Sequence, residues 1–488
     1  MTGPRRLYEL HAPAWLARQS ERFGRRLTLG TVPDVAWQEL AVLGFDLVWV
    51  MGVWRRSPAS RREALSPEAL RRWRRTLPDL VEADVLGSPY AIHDYSLEPC
   101  LGEAGELATL RDQLHRLGLG LMLDFVPNHL AVDHVWTESH PGWLVRGVGA
   151  AVARHPEWFF VGPRGDHLAH GRDPNFAPWN DTVQVDWTQA GARAALADEL
   201  ARIGEVADAV RVDMAMLGLT DVVARTWAEV SAPTPPPPGT GEYWGDILAR
   251  VRAARPGLIL VAEAYWGLEP ELLALGFDYA YDKAVYDLLL SSRAPELTTY
   301  LAPQPPWLER GVHFAENHDE ERAQVAFGRD RARAATLVAL TIPGLALIHD
   351  GQIEGARRRA PIHLARAAHG DLTSGEEALY RRMLAVTSER VYRDGVWTPL
   401  PTSGDLLAWS WHLHHEVRVV AVNGSGGPAS AALDLGSQLP PGVEQAIAVD
   451  ELTGATVGVI RPGPGATSIH LHLDGWGSAL LRLHPAYV

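Results

Sequence analysis

The chain has 488 residues, 47% of them hydrophobic, with a formal charge of -14 and a single cysteine, Cys100. That length supports two or three domains, and the acidity argues against nucleic acid or an anionic membrane as a partner. One cysteine excludes a disulfide framework and a thiolate metal cluster. Neither an apolar leader after Met1 nor a run long enough to span a bilayer is visible, so the expected compartment is the cytoplasm. The bases are almost all arginine, Lys283 being the lone lysine, which reads as compositional bias.

From about residue 7 to 390, strand-like runs alternate with amphipathic helical stretches. Leu7–Leu10 comes first, followed by a helical pattern over 35–43, the run Asp46–Met51 and a long irregular stretch to Leu101. A helix over 105–117 leads into Leu121–Asp124, and later strands end at Asp213, Glu263, Tyr281, Asp319 and His349. Unbroken Leu/Val/Ile runs predict strands buried on both faces, hence a parallel sheet wrapped in helices. Eight such alternations predict a (β/α)8 TIM barrel. Residues 130–187, rich in His, Trp, Pro and Gly, are too long for a barrel loop and predict an inserted domain after strand 3. Ser231–Gly239, with four consecutive prolines, predicts a stiff spacer at the pocket rim. After residue 395 the runs Leu406–Trp411, Val417–Asn423 and Ser468–Leu473 shorten and alternate, which predicts a C-terminal antiparallel β-sandwich domain. The expected organisation is a barrel over 1–129 and 188–390, the insertion over 130–187 and the sandwich over 391–488.

Four of the apolar runs end in polar residues: Asp124-Phe-Val-Pro-Asn-His129, Arg211-Val-Asp213, Glu263, and Asn317-His-Asp319. A charge inside a doubly buried strand is costly, but the carboxyl ends of barrel strands converge on one face. Asp124, Asp213, Glu263 and Asp319 are therefore expected to share a pocket. In order and spacing these runs resemble the four signature regions of the alpha-amylase family, glycoside hydrolase family 13. Ser88-Pro-Tyr90 resembles the segment whose tyrosine stacks on the sugar, and Gly344–Glu354 the segment on the eighth strand.

The resemblance implies a retaining glycosidase acting on alpha-glucosides or maltooligosaccharides. Asp213 would be the nucleophile, Glu263 the general acid/base and Asp319 the carboxylate that holds ring hydroxyls. Such an enzyme needs two carboxyl groups about 5–5.5 Å apart. Tyr90, Asp124, His129, Arg211 and His318 would complete the substrate site, Asp124 bracing it and the two histidines offering neutral hydrogen bonds. Independently of the resemblance, Arg211 lies two residues before Asp213, on the same face of a strand, and favours an ionised nucleophile. The apolar neighbours of Glu263 should keep a proton available on it. Trp54 either lines the cleft or packs.

Two departures from the family pattern narrow this reading. Met216 and Leu217 stand where many starch-cleaving members carry a Lys-His pair, which favours short substrates or transfer to another acceptor. Asn128 matches a calcium-binding position of many relatives, but Gln184 falls where they carry an aspartate, so no cofactor is expected. Asp133-His134 and His412–His415 have metal-ligand spacing without a third ligand. A transglycosylase (glucanotransferase, trehalose-synthase-like isomerase or phosphorylase) would use the same trio, and a non-catalytic amylase-like binding protein is the rival of a different class. Linkage, acceptor and oligomeric state are left open.

Overall fold

The structure is a computed structural model that describes residues 3, 5–230, 241–368, 370–439, 443, 445–461 and 467–485. The proline-rich spacer expected at Ser231–Gly239 lies outside the described residues. Eight parallel strands close into a barrel: β1 (Arg6–His11), β2 (Leu47–Met51), β3 (Gly120–Phe125), β4 (Ala209–Val212), β5 (Ile259–Ala262), β6 (Tyr279–Tyr281), β7 (Gly311–Phe314) and β8 (Leu345–His349). Each pairs with its sequence neighbours, and β8 closes on β1 with Glu9 opposite His349.

Strand periodicity determines what each residue faces, because successive side chains point to opposite sides. Leu7, Trp49, Met122, Ala209, Val261, Tyr281, Val312 and Leu345 form one cluster inside the barrel. Their neighbours Tyr8, Val48, Leu121, Val210 and Leu260 belong to the outer cluster under the helices. A step of two along a strand keeps the face. Glu9, Asp124, Arg211, Asp213 and Glu263 therefore share the parity of the lumen-filling residues and occupy its upper layer.

The helices follow the same logic with a longer period. Ala190–Ile203 buries Ala192, Leu196, Ala197, Leu200 and Ile203, one stripe of an amphipathic helix. It packs beside Tyr243–Ala254, which buries Trp244, Ile247, Leu248 and Val251. The stretch after β2 is more ordered than expected. It holds helices Pro58–Ala64 and Pro67–Thr76, each opened by a serine whose Oγ accepts a backbone N–H and by proline in the first turn. Between β3 and β4, His129–Ala131 pairs antiparallel with Thr182–Gln184 and Phe159–Val161 with His167–Ala169.

The C-terminal region contains β9 (Val396–Pro399), β10 (Leu406–Leu413), β11 (Glu416–Asn423), β12 (Ala429–Asp434), β13 (Ala446–Asp450), β14 (Thr456–Ile460), β15 (Ser468–Leu473) and β16 (Ser478–Pro485). Six form an antiparallel sheet in the order β9-β10-β11-β16-β13-β14, and β12 pairs with β15. Val419, Ala421 and Leu481 face Leu433, Ile469 and Leu471 across the sandwich. The alternate residues Trp409, Val420, Val422 and Leu480 join the barrel's outer cluster, and Trp411 Nε1 donates to the Thr341 carbonyl at 2.7 Å.

Gly344, at the entry to β8, is a sensitive point. Its φ is +128°, and a Cβ there would lie 2.5 Å from the Gly311 carbonyl oxygen and 2.5 Å from His313 Nε2. Gly344→Ala is expected to cost roughly 1–3 kcal/mol. The check is a lower urea midpoint at an unchanged slope.

Candidate active site

Arg211 is the hub of the upper lumen. Its guanidinium, 1% exposed, spans three carboxylates: Nη1 lies 2.7 Å from Asp213 Oδ1 and 3.4 Å from Asp124 Oδ1, and Nη2 lies 2.7 Å from Glu263 Oε2. The rings of Trp49, Tyr90 and Tyr281 lie 5.2–5.9 Å from its Cζ, so the cation is also held against aromatic faces. Asp213 and Glu263 each follow the last residue of their strands, β4 and β5, which are paired neighbours. Their carboxyl groups sit on adjacent prongs of one rigid fork.

Each carboxylate has one oxygen occupied and one less so. Asp213 Oδ1 takes Arg211, and Oδ2 makes no hydrogen bond among the described residues. Glu263 Oε2 is ion-paired with Arg211 and accepts the Met214 backbone N–H at 2.6 Å, while Oε1 accepts from the Tyr265 hydroxyl at 2.8 Å. Local sequence predicted an apolar setting for Glu263; three polar partners from other residues surround it instead. Met214 reaches it from a left-handed conformation, φ +45°, which costs about 1–3 kcal/mol for a side-chain-bearing residue. Asp124 accepts from Trp49 Nε1 at 3.2 Å, and its carbonyl takes Trp54 Nε1 at 2.7 Å. Trp54 is thus a packing residue, 3% exposed, that braces β3.

A second cluster lies beside the first. Asn317 Oδ1 accepts the backbone N–H of Asp319 and of Glu320, a side-chain-closed turn that orients Asp319. His318 Nε2 sits 2.7 Å from the Tyr90 hydroxyl and 3.1 Å from Asp319 Oδ2, and Nδ1 sits 2.5 Å from Glu9 Oε1. Arg359, from the loop after β8, donates through Nε to the His318 carbonyl at 2.9 Å.

Burial and charge then set the protonation. Burial raises Asp213 to about 7, with Arg211 opposing and Glu263 adding to the rise. Burial likewise raises Asp124 to about 6 against the pull of Arg211. For His318, burial favours the neutral ring, but Asp319 and Glu9 outweigh it and lift the imidazole to about 10. That corrects the expectation of a neutral hydrogen-bonding histidine. Asp319 keeps 41% of its side chain exposed. Partial burial of its carboxyl works against ionisation, and the His318 imidazolium overcomes this and draws it below the ordinary range.

Arg211, Asp124, Asp213, Glu263, Tyr90, His318 and Asp319 all meet in this double cluster. His129 stands one layer behind: its ring lies 4.9 Å from Trp179, it touches the Tyr90 backbone, and burial lowers it to about 4. Four contributors escaped sequence reasoning: Glu9, Trp49, Tyr265 and Tyr281. Glu9 alone carried a signal, a carboxylate inside the apolar Leu7–Leu10 run.

Met216 and Leu217 are core residues in the turn after β4, 0% and 3% exposed, and bring no polar group to the site. The residues at the calcium position do not fit the ion. Gln184 Nε2 donates to Asn128 Oδ1 at 2.9 Å and to the Asn128 carbonyl at 2.8 Å, and Trp187 Nε1 also donates to Asn128 Oδ1. Two neutral amides satisfy each other where a dication needs charged oxygens. Asp133 instead caps the helix at Pro58, accepting from Ser57 Oγ and the Ala59 N–H. His412 meets Gln438 Oε1 at 2.6 Å. Among the described residues, no group of three His, Cys, Asp or Glu is placed to hold a metal, and no helix is long and apolar enough to cross a membrane.

Known proteins resemble the chain in sequence and in fold. Residues 38–189 match the alpha-amylase catalytic domain. The chain is 26% identical over 289 residues to the alpha-amylase MalA of Haloarcula japonica, covering 56% of this chain and 38% of that protein. It is 27% identical over 313 residues to an alpha-glucosidase of Apis mellifera, covering 54% and 52%. The matches thus span about half the length of these relatives or less. The fold is shared with the maltogenic alpha-amylase AmyB of Thermotoga neapolitana, with a TM-score of 0.69 at 17% identity over 99% of both chains. It is also shared with the alpha-amylase of H. orenii, with a TM-score of 0.67 at 14% identity over 99% and 100%.

The raised Asp213 carboxyl has a consequence for stability. A carboxyl whose folded pKa lies above its unfolded value stabilises the fold at low pH, and that contribution is lost as pH rises through the folded pKa. For Asp213 the window runs from about 4 to about 7. Asp213→Asn removes the buried charge, so its melting temperature should gain on the native chain across this window and stay higher above it. Calorimetry at pH 4.5 and 8 checks it; an equal difference at both pH values would contradict the placement.

Proposed function

We propose that the chain is a retaining glycosidase of the alpha-amylase family that acts on short alpha-glucosides, with Asp213 as nucleophile and Glu263 as general acid/base. The observation that carries the reading is the Arg211 fork, which holds two carboxyl groups side by side on paired strand ends. A gap for an intervening water, as inversion requires, is not what such a fork builds. Support also comes from the relatives, named as alpha-amylase, alpha-glucosidase and maltase, and from a structural neighbour described in complex with acarbose.

The atom roles follow from the partners. Asp213 Oδ2, free of Arg211, is the attacking oxygen. Glu263 Oε2 is held by the Arg211 ion pair and the Met214 N–H, so the transferable proton is assigned to Oε1 beside Tyr265. As the glycosidic bond breaks, Oε1 gives that proton to the leaving oxygen and Oδ2 bonds to the anomeric carbon; a water or second sugar, deprotonated by Glu263, then reverses the attack. Asp319 and Tyr90 hold ring hydroxyls of the same sugar unit. The excess of buried carboxylate over cation favours the positive charge that develops on the ring. His129, one layer back, orients Tyr90, and residues 130–187 overhang the site.

Transfer to a sugar acceptor uses the same steps. The apolar, buried Met216 and Leu217 favour short substrates or transfer over cleavage within long chains, since hydrogen bonds that would orient a glucan there are missing. Each such bond is worth about 0.5–1.5 kcal/mol.

Three outcomes test the reading. NMR of the first product from an alpha-glucoside should show the α-anomer; an initial β-anomer would overturn the mechanism. Asp213→Asn should abolish turnover, and Glu263→Gln should lower it roughly 10²–10⁴-fold, much less for a glucosyl fluoride whose leaving group needs no proton. Amylose viscosity should fall slowly relative to reducing-end release from maltotriose, and a rapid fall would refute the short-substrate preference.

A further inference from the structure

Glu9 is a fully buried carboxylate in the middle of β1, pointing into the lumen, that the steps above do not use. A carboxylate so placed is expensive unless paired. Its Oε1 lies 2.5 Å from His318 Nδ1 and 3.3 Å from the His318 backbone nitrogen, and its Oε2 has no hydrogen-bond partner among the described residues. On the far side of the ring, Nε2 faces Tyr90 Oη at 2.7 Å and Asp319 Oδ2 at 3.1 Å.

We infer that Glu9 is a positioning residue that keeps His318 protonated on both ring nitrogens and thereby fixes the direction of every hydrogen bond in the Asp319 half of the site. The geometry makes the argument. Carboxylate oxygens only accept, so Glu9 demands a proton on Nδ1 and Asp319 demands one on Nε2. A neutral ring would set a lone pair against one of the two. With Nε2 donating, Tyr90 Oη is an acceptor, and its own hydrogen is released to a substrate hydroxyl. Asp319 stays ionised beside it.

The groups facing His318 are consistent with this. Glu9 and His11 come from β1, Trp49 from β2, Tyr90 from the loop after it, Asp124 from β3 and Asp319 from its own segment. Arg359 holds the His318 carbonyl and lies 3.9 Å from Asp319, while Arg322 and Tyr281 sit in the field of Glu9. His11 is kept neutral by burial and by Arg56, so it adds no competing charge.

The effect on turnover rests on the glycosidase reading, whereas the protonation of His318 does not. The experiment is therefore ¹⁵N NMR of the histidine rings in the full chain, with the His318 signals assigned by their loss in His318→Asn. In the native chain both His318 nitrogens should remain protonated up to about pH 9; titration in the ordinary histidine range would overturn the inference whether or not the protein turns over glucosides. In Glu9→Gln, whose carbonyl can still accept from Nδ1, the ring should titrate roughly 1–3 units lower. The alkaline limb of kcat/KM should move down with it, and Glu9→Asp should restore part of the shift. An unmoved His318 titration in a folded Glu9→Gln chain, or a uniform loss of kcat with no change in the profile, would reduce Glu9 to a packing role. Absence of turnover in the native chain with His318 behaving as described would refute the glycosidase reading and leave this one standing.

Discussion

The whole upper lumen depends on one imbalance: a single guanidinium, Arg211, serving three buried carboxylates. Asp124, Asp213 and Glu263 all come within 3.4 Å of it, and one positive charge cannot neutralise three negative ones. Burial lifts both Asp213 and Asp124, and for Asp213 the neighbouring Glu263 and Asp124 add to the rise that Arg211 opposes. Such a cluster stores unfavourable electrostatics that the rest of the barrel must outweigh. On the proposed chemistry that cost has a use, because a ring carrying positive charge is the one species the site is built to welcome. Arg211 itself cannot leave: aromatic faces surround it, and it is almost fully excluded from solvent.

The neighbouring cluster repeats the pattern with a different cation. Glu9 and Asp319 flank His318 as Asp213 and Glu263 flank Arg211. Arginine is charged at any pH the protein meets, while an imidazole is charged only because its neighbours insist. The two halves therefore differ in kind. One has a fixed charge and adjustable carboxyls; the other has an adjustable cation whose state is imposed by a carboxylate nobody would place in a strand for stability alone.

Much of this was legible in the sequence, and the reason is strand parity. Eight apolar runs predict the strands, and the four that end in Asp or Glu predict the convergence of Asp124, Asp213, Glu263 and Asp319. What stayed hidden has physical causes. Glu9 sits in a run of the same kind, but one carboxylate between leucines does not reveal that its partner lies 309 residues away. Tyr265, Tyr281 and Trp49 are aromatic residues that sequence alone assigns to packing, and they do pack; only the closed barrel turns them toward Arg211. The helices at Pro58 and Pro67 were missed although Ser57-Pro58 and Ser66-Pro67 are start signals, because few apolar residues mark their buried faces, Ala64 in one and Ala69 and Trp73 in the other. The charge of His318 was misjudged for the same reason as Glu9 was missed: a titration is decided by neighbours in space.

Met214 shows where the barrel's regularity gives way to the site. Its backbone leaves β4 in a left-handed turn, and the strain is spent on aiming one N–H at Glu263 Oε2. The next residues, Met216 and Leu217, then drop into the core. A single turn thus anchors the Glu263 carboxyl through Oε2 and removes polar side chains from the adjoining wall. If that wall borders the acceptor, positioning Glu263 and restricting the length of the bound sugar are consequences of the same few dihedral angles. A substitution restoring polar groups at 216 and 217 would have to find room in a packed interior, so on the proposed chemistry substrate length could not be changed there without disturbing the Glu263 carboxyl that the same turn holds.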